Sequence, residues 1–270
     1  MRIVLAPTVT KLPEGSAGAV LVTGSHGGLY SGALALKAGI RAFVCHDAGI
    51  GAEEAGVASL LLLQRAGLAA AAVSHLSARI GDPEDMMRRG TISRPNRLAA
   101  ALGVVAGMPC QAAAERLGAA PLVRADAPSF AEARGVTRPD GAVRDLVLID
   151  SAALVDADAD AGAVIVTGSH GGLVGGSPSL ALRADGFAAA FNDAGIGIDR
   201  AGVGRLTALD ARGIAAITVS AASARIGDAR STLRDGVISA ANDTADALGA
   251  EVGLRAKAFL IELTRRRTFV

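Results

Sequence analysis

The chain has almost no aromatic material to build with. It holds no tryptophan, one tyrosine and six phenylalanines in 270 residues, 3% in all. A core without large rings must be filled by Ala, Val, Leu and Ile. Small side chains let backbones approach closely, which suits layered α/β packing better than a loose helical bundle. Lysine is scarce too: Lys11, Lys37 and Lys257 are the only three among 27 basic residues, a bias from which no function follows. There is no excess of either charge, and the net value of +1 lacks the basic surplus of a nucleic-acid binder. The one basic cluster, Arg265-Arg266-Arg267, reads as a solvated helix end. Two cysteines, Cys45 and Cys110, are too few for a disulfide framework. No uninterrupted apolar run approaches the 18 or so residues of a membrane span. The opening stretch Met1 to Pro7 is too short to be a signal peptide. A cytoplasmic protein without membrane or nucleic-acid partners is expected.

What is present, at 51% apolar and 20% charged residues, is a sequence written twice. Thr23-Gly24-Ser25-His26-Gly27-Gly28 returns 144 residues on as Thr167-Gly168-Ser169-His170-Gly171-Gly172. Asp47-Ala48-Gly49-Ile50-Gly51 returns 146 residues on as Asp193-Ala194-Gly195-Ile196-Gly197. Ser77-Ala78-Arg79-Ile80-Gly81-Asp82 returns at the same offset as Ser223-Ala224-Arg225-Ile226-Gly227-Asp228, so one two-residue insertion separates the halves. The repeat supplies an alignment inside one molecule.

Short apolar runs alternate with helical patterns in each half. Strands are expected at Ile3 to Leu5, Ala19 to Val22, Ala42 to Cys45 and Ala69 to Val73. Their counterparts are Leu146 to Ile149, Val164 to Val166, Ala188 to Phe191 and Ala216 to Val219. Helices are expected over residues 31–38, 53–66 and 96–102. Continuous apolar strands between helices indicate a parallel sheet covered on both faces. The expected fold is therefore α/β, internally duplicated, with two Rossmann-like lobes and mainly parallel sheet. The lobes span 1–118 and 143–270, joined by 119–142, which carries Pro121, Pro128 and Pro139.

Each repeated block directly follows a strand, and in open α/β sheets ligands bind at those carboxyl ends. The glycine-rich turn of the first block can expose N–H groups to an anion, with Gly27, Gly28, Gly171 and Gly172 as its cradle. Neither the Walker spacing nor G-x-G-x-x-G is met, so no nucleotide cofactor is expected. Capping a helix needs a short oxygen side chain, which leaves His26 and His170 without a local reason and makes them candidates for acid–base work. Asp47 and Asp193 suit an Asx turn, or the orienting carboxylate of a hydrolytic triad. Arg79 and Arg225 offer a planar fork for a substrate carboxylate, or brace their loops through Asp82 and Asp228. Ser25 and Ser77 are the candidate nucleophiles, and Ser93 falls where a helix cap belongs. His46, His75 and Tyr30 drift to Asn192, Ala221 and Val174 in the second half. With no H-x-x-x-H or cysteine pair, no metal is expected.

The leading expectation is a small-molecule enzyme, a hydrolase acting on a small carboxylate-bearing anion through His26, Asp47 and Ser25 or Ser77. A second reading is an isomerase or lyase with one histidine from each half on a shared substrate. The third is a non-catalytic protein that binds anions or nucleotides. A homo-oligomer is the base-rate expectation for such a chain.

Overall fold

The computed structural model describes residues 2–130 and 132–268. It is an α/β fold with two mixed, mostly parallel sheets. The first sheet holds β1 (Ile3–Ala6), β2 (Val20–His26), β3 (Ala42–His46), β4 (Ala69–Val73) and β5 (Ile92–Pro95), in that spatial order. Only β5 runs antiparallel. Between the strands come α1 (Leu29–Lys37), α2 (Ser59–Arg65), α3 (Pro83–Arg89), α4 (Arg97–Ala101) and α5 (Cys110–Leu117). The second sheet holds β6 (Arg134–Thr137), β7 (Leu146–Ile149), β8 (Val164–His170), β9 (Ala188–Asn192), β10 (Ala215–Val219) and β11 (Ile238–Ala241), ordered from β6 at one edge to β11 at the other. Its two edge strands are antiparallel. The helices here are α6 (Gly204–Asp210), α7 (Ala229–Asp235), α8 (Asp243–Ala247) and α9 (Ala256–Arg265).

Both faces of each sheet are dry at the central strands. β3 is buried at every position, as are β4, β9 and β10. Leu36, Leu60 and Leu63 cover one face of the first sheet, and Met86, Ala113 and Leu117 the other. Leu206 and Leu209 on one side, and Leu248, Leu260 and Leu263 on the other, do the same for the second. Core volume is balanced between the halves. Phe43 and Cys45 on β3 align with Ala189 and Phe191 on β9, so the ring moves two residues along the same face.

Several local expectations are corrected by backbone chemistry. Ser93 lies inside β5, its hydroxyl on the Ala72 carbonyl. The cap of α4 is Asn96, whose Oδ1 accepts from Ala99 N–H at 2.9 Å while Nδ2 donates to the Leu68 carbonyl at 3.0 Å. Asn242 does the same for α8. The helix expected over 53–66 begins only at Ser59, because Glu53 and Glu54 sit at φ 53° and 55°. The helix equivalent to α1 is missing from the second half, where short 3₁₀ turns Val174–Gly176 and Pro178–Leu180 replace it. Part of the connecting stretch is ordered as β6.

The two sheets meet backbone to backbone through the repeated D-A-G-I-G turns. Ala48, Gly49, Ile50 and Gly51 all have positive φ, as do Ala194 to Gly197. Each non-glycine held there costs roughly 1–2 kcal/mol, so the surroundings must over-determine the turn. They do: Asp47 Oδ1 accepts from Gly49 N–H at 3.0 Å, and Ile50 N–H bonds the Asp47 carbonyl at 2.8 Å. A Cβ placed on Gly49 would lie 2.8 Å from Gly195 Cα. Around this contact, Ala52 N–H bonds the Ala221 carbonyl at 2.7 Å and Ile198 N–H bonds the His75 carbonyl at 2.8 Å. Ala48, Ile80, Ala194 and Ile226 form a small apolar core between the halves.

Gly49→Ala should therefore destabilise the protein by roughly 2–5 kcal/mol, combining overpacking with an unfavourable φ. Gly39→Ala, also at positive φ (64°) but with open space around it, should cost only about 1 kcal/mol. Urea unfolding of both variants checks this, and equal losses would contradict a tight joint.

Candidate functional site: a cavity between the two sheets

A cavity of about 560 Å³ lies between the halves and is lined by the ends of both T-G-S-H-G-G blocks. His26 and His170 both reach it. Their geometry comes from the glycine that follows. The His26 ring folds back so that Nδ1 accepts the Gly28 N–H at 3.1 Å, and His170 accepts from Gly172 N–H at 3.2 Å. A Cβ on Gly28 would stand 2.7 Å from His26 Cε1, so only glycine permits the curl. The backbone donor occupies the Nδ1 lone pair and fixes the neutral ring as the Nε2–H tautomer. Burial, followed by the His46 charge, pushes His26 down to about 4. His170 also falls well below the usual imidazole range, through burial and then the charges of Arg205 and His26. At neutral pH the cavity thus holds two uncharged imidazoles, each free to donate from Nε2.

No hydrogen-bonded Ser–His–Asp chain is formed. Ser25 Oγ accepts Val9 N–H at 3.0 Å, and its counterpart Ser169 accepts Ala152 N–H at 2.9 Å. Asp47 lies outside the cavity lining and binds His75 instead, Oδ1 to Nδ1 at 3.0 Å and to the His75 N–H at 2.9 Å. Burial would raise the Asp47 carboxyl, but the His75 bonds and nearby imidazoles outweigh it and hold it low. Asp193 takes Gly195 and Ala221 N–H, each at 2.8 Å. Ser77 Oγ donates to the Ser74 carbonyl and accepts Thr91 N–H, both at 2.9 Å; Ser223 repeats this with Ser220 and Val237. These serines and aspartates hold turns.

The arginines of the third block brace the joint. Arg79 Nε donates to Asp199 of the second half at 2.9 Å, and Arg225 pairs with Glu53 of the first at 3.1 Å and with Asp228 at 2.6 Å. Arg225 and Asp228 reach the cavity edge, whereas Arg79 and Asp82 do not. Asp82 and Asp228 cap α3 and α7. Gly27 and Gly171 allow close packing: a Cβ there would meet Cys45 Sγ at 2.7 Å and Thr218 Cγ2 at 2.7 Å. Gly28 lines the cavity. His46 is locked at both nitrogens, accepting from Ala48 N–H and donating to the Ala78 carbonyl; Asn192 makes the same two bonds to Ala194 and Ala224.

Three further groups complete the wall. Glu132, from the connecting stretch, stands beside the hydroxyls of Tyr30 and Ser151. Burial raises its carboxyl above the ordinary range, the two hydroxyls pull the other way, and Asp150 adds to the rise. Tyr30 comes from the first half and Ser151 from the second, so Glu132 lies where both halves meet the cavity. Arg205 lies at the start of α6 and is buried. Tyr30 and Arg205 were signalled by drift between the halves, since Arg205 aligns with Ser59. Glu132 has no counterpart and no signal.

Among the described residues no group of three or more His, Cys, Asp or Glu is placed to hold a metal ion, and no helix is long and apolar enough to cross a membrane. No protein-family model, curated protein or solved structure matches the chain.

The lowered imidazole has a thermodynamic consequence. Between about 6.5 and about 4 the unfolded chain binds a proton at His26 that the folded chain refuses. Stability should fall as pH drops through that window, by at most roughly 3 kcal/mol from this group, and its contribution should level off below. Urea unfolding at pH 7.5 to 4 should show the slope, and His26→Gln should lose part of it. An unchanged slope in the variant would contradict a buried neutral ring.

Proposed function

We propose that the protein is a small-molecule enzyme of the isomerase or lyase type, moving a proton on a carbon beside a carbonyl. The observation that carries this reading is the placement of both repeated histidines on one cavity, each fixed as an Nε2–H donor. A ring held that way is a poor base at Nε2 but a good hydrogen-bond donor to a developing oxyanion. The acid–base role falls to Glu132, a half-buried carboxyl at the same wall that burial raises above the ordinary carboxylate range. In the proposed step the C–H bond breaks and its proton goes to the Glu132 carboxylate. The electron pair moves into the carbonyl, and the enolate oxygen is held by His26 and His170. Where the reacting carbon carries a hydroxyl, that hydroxyl's proton passes to the enolate oxygen as its own C=O forms, and Glu132 returns its proton to the former carbonyl carbon, giving an isomerase. Where the next carbon along carries a leaving group, the enolate re-forms its C=O, its C=C pair shifts to that carbon and the group departs with the bonding pair and the proton of Glu132, giving a lyase.

The hydrolytic reading has less support, because Ser25, His26 and Asp47 each serve other partners. The shared strand order and motifs support descent of the halves 1–118 and 143–270 from one duplicated α/β unit, whose sequential strand order lacks the reversal of a Rossmann sheet. Two buried free thiols support a reducing, cytoplasmic setting.

The test follows ¹H NMR signals of a panel of small oxo and hydroxy acids with the purified protein in D₂O, then kinetics on whatever exchanges or turns over. Glu132→Gln should lower turnover about 10²-fold or more, and His26→Ala and His170→Ala each about 10²–10³-fold. In the wild type kcat/KM should rise with pH through a carboxyl pKa above the ordinary range. Wild-type rates in Glu132→Gln, or in both histidine variants, would remove the proposal.

A further inference from the structure

Arg205 is 4% exposed and has no carboxylate partner among the described residues. Its Nε is shared by the carbonyls of His170 at 3.1 Å and Gly172 at 3.0 Å. Its Nη1 donates to the carbonyls of Leu180 at 3.2 Å and Ala181. The Phe191 ring lies 5.1 Å from its Cζ. Its Nη2 has no acceptor among the described residues, and the side chain forms part of the cavity wall. Carbonyl dipoles orient a guanidinium but do not neutralise it, and an enclosed uncompensated charge is costly. Of the acids along the same wall, Asp228 and Glu53 are engaged by Arg225 and Asp150 by the N–H groups of Ala133 and Ala229, while Glu132 stands beside the hydroxyls of Tyr30 and Ser151.

Besides Arg225, the other cations on the lining, Lys11 and Arg183, are exposed, and the first half has no buried arginine at the equivalent position. Its equivalent position is Ser59, fully buried, with an unpartnered hydroxyl. There α1 packs so tightly that a Cβ on Gly32 would lie 2.5 Å from Ser59 Cβ. The second half lacks that helix, and Leu180 and Leu182 of the replacing loop face the cavity. The missing helix and the arginine are one feature: the side chain fills the space and brings its charge to the wall.

We propose that the cavity contains a single anion subsite, built on the Arg205 guanidinium, that receives the carboxylate of the substrate. This deepens the isomerase or lyase reading by naming the substrate as an oxo acid. With Nε and Nη1 taken by carbonyls, the N–H groups of Nη2 are the donors left for a carboxylate oxygen. The proximity of Arg205 to His170 puts that carboxylate beside the carbonyl oxygen the imidazoles would hold.

Isothermal titration of the full-length chain at pH 7 with malonate, inorganic phosphate and neutral malonamide tests it. Malonate should bind once per chain and malonamide not at all. Arg205→Met should weaken malonate at least tenfold, whereas Arg79→Gln, outside the cavity, should leave it unchanged. No malonate binding, two equivalent sites, or wild-type affinity in Arg205→Met would overturn the subsite. Phosphate binding tighter than malonate would overturn its assignment to a carboxylate. If Arg205→Met does not fold, a malonate co-crystal of the wild type decides, supporting the subsite with a carboxylate on Arg205 and overturning it with malonate elsewhere. Malonate on Arg205 together with unimpaired turnover in Glu132→Gln would remove proton transfer and keep the subsite. Turnover that needs His26 and Glu132 but shows no malonate binding would do the reverse.

Discussion

The whole arrangement depends on a contact with no side chains in it. Gly49 and Gly195 touch backbone to backbone, each inside a run of four residues with positive φ. That run is affordable only because an aspartate at each strand end gathers several N–H groups, Gly49 and His75 in one half, Gly195 and Ala221 in the other. The carboxylates thus hold the joint that makes one cavity out of two sheet edges. Their repetition reflects a mechanical need shared by both halves.

The histidines show the same logic with another outcome. In His-Gly-Gly the second glycine removes the Cβ that would collide with the ring, and its own N–H claims Nδ1. The motif is therefore a way of presenting Nε2–H at a strand end. The device recurs at His46, where the Ala48 N–H takes Nδ1, but there Nε2 is consumed by the Ala78 carbonyl. Nε2 of His46 is spent inside the protein, whereas His26 and His170 keep theirs for the cavity.

Much of the layout was legible in the sequence because it rests on local rules. Apolar runs located the eight parallel strands to within one to four residues, and the blocks after them marked the edge where the cavity lies. The short antiparallel edge strands β5, β6 and β11 were not legible, since Ile92–Pro95 and Arg134–Thr137 have no apolar run. The repeat also pointed in a misleading direction. Identity between halves reports what both need, which here is largely turn chemistry: Ser77, Asp47, Asp82 and their partners. Arg205, Tyr30 and Glu132 break the repeat, and two of these could have been found by asking where the halves differ rather than where they agree.

The missing helix in the second half also shapes the cavity. A joint made of main chain, with ion pairs Arg79–Asp199 and Arg225–Glu53 across it, ties the two sheets together. The two 3₁₀ turns that stand in for a packed helix contribute Val174 and Leu180 to the lining, and the Leu180 carbonyl takes a bond from Arg205. Loss of one helix thus exposes a wall and seats a buried cation in it at the same stroke.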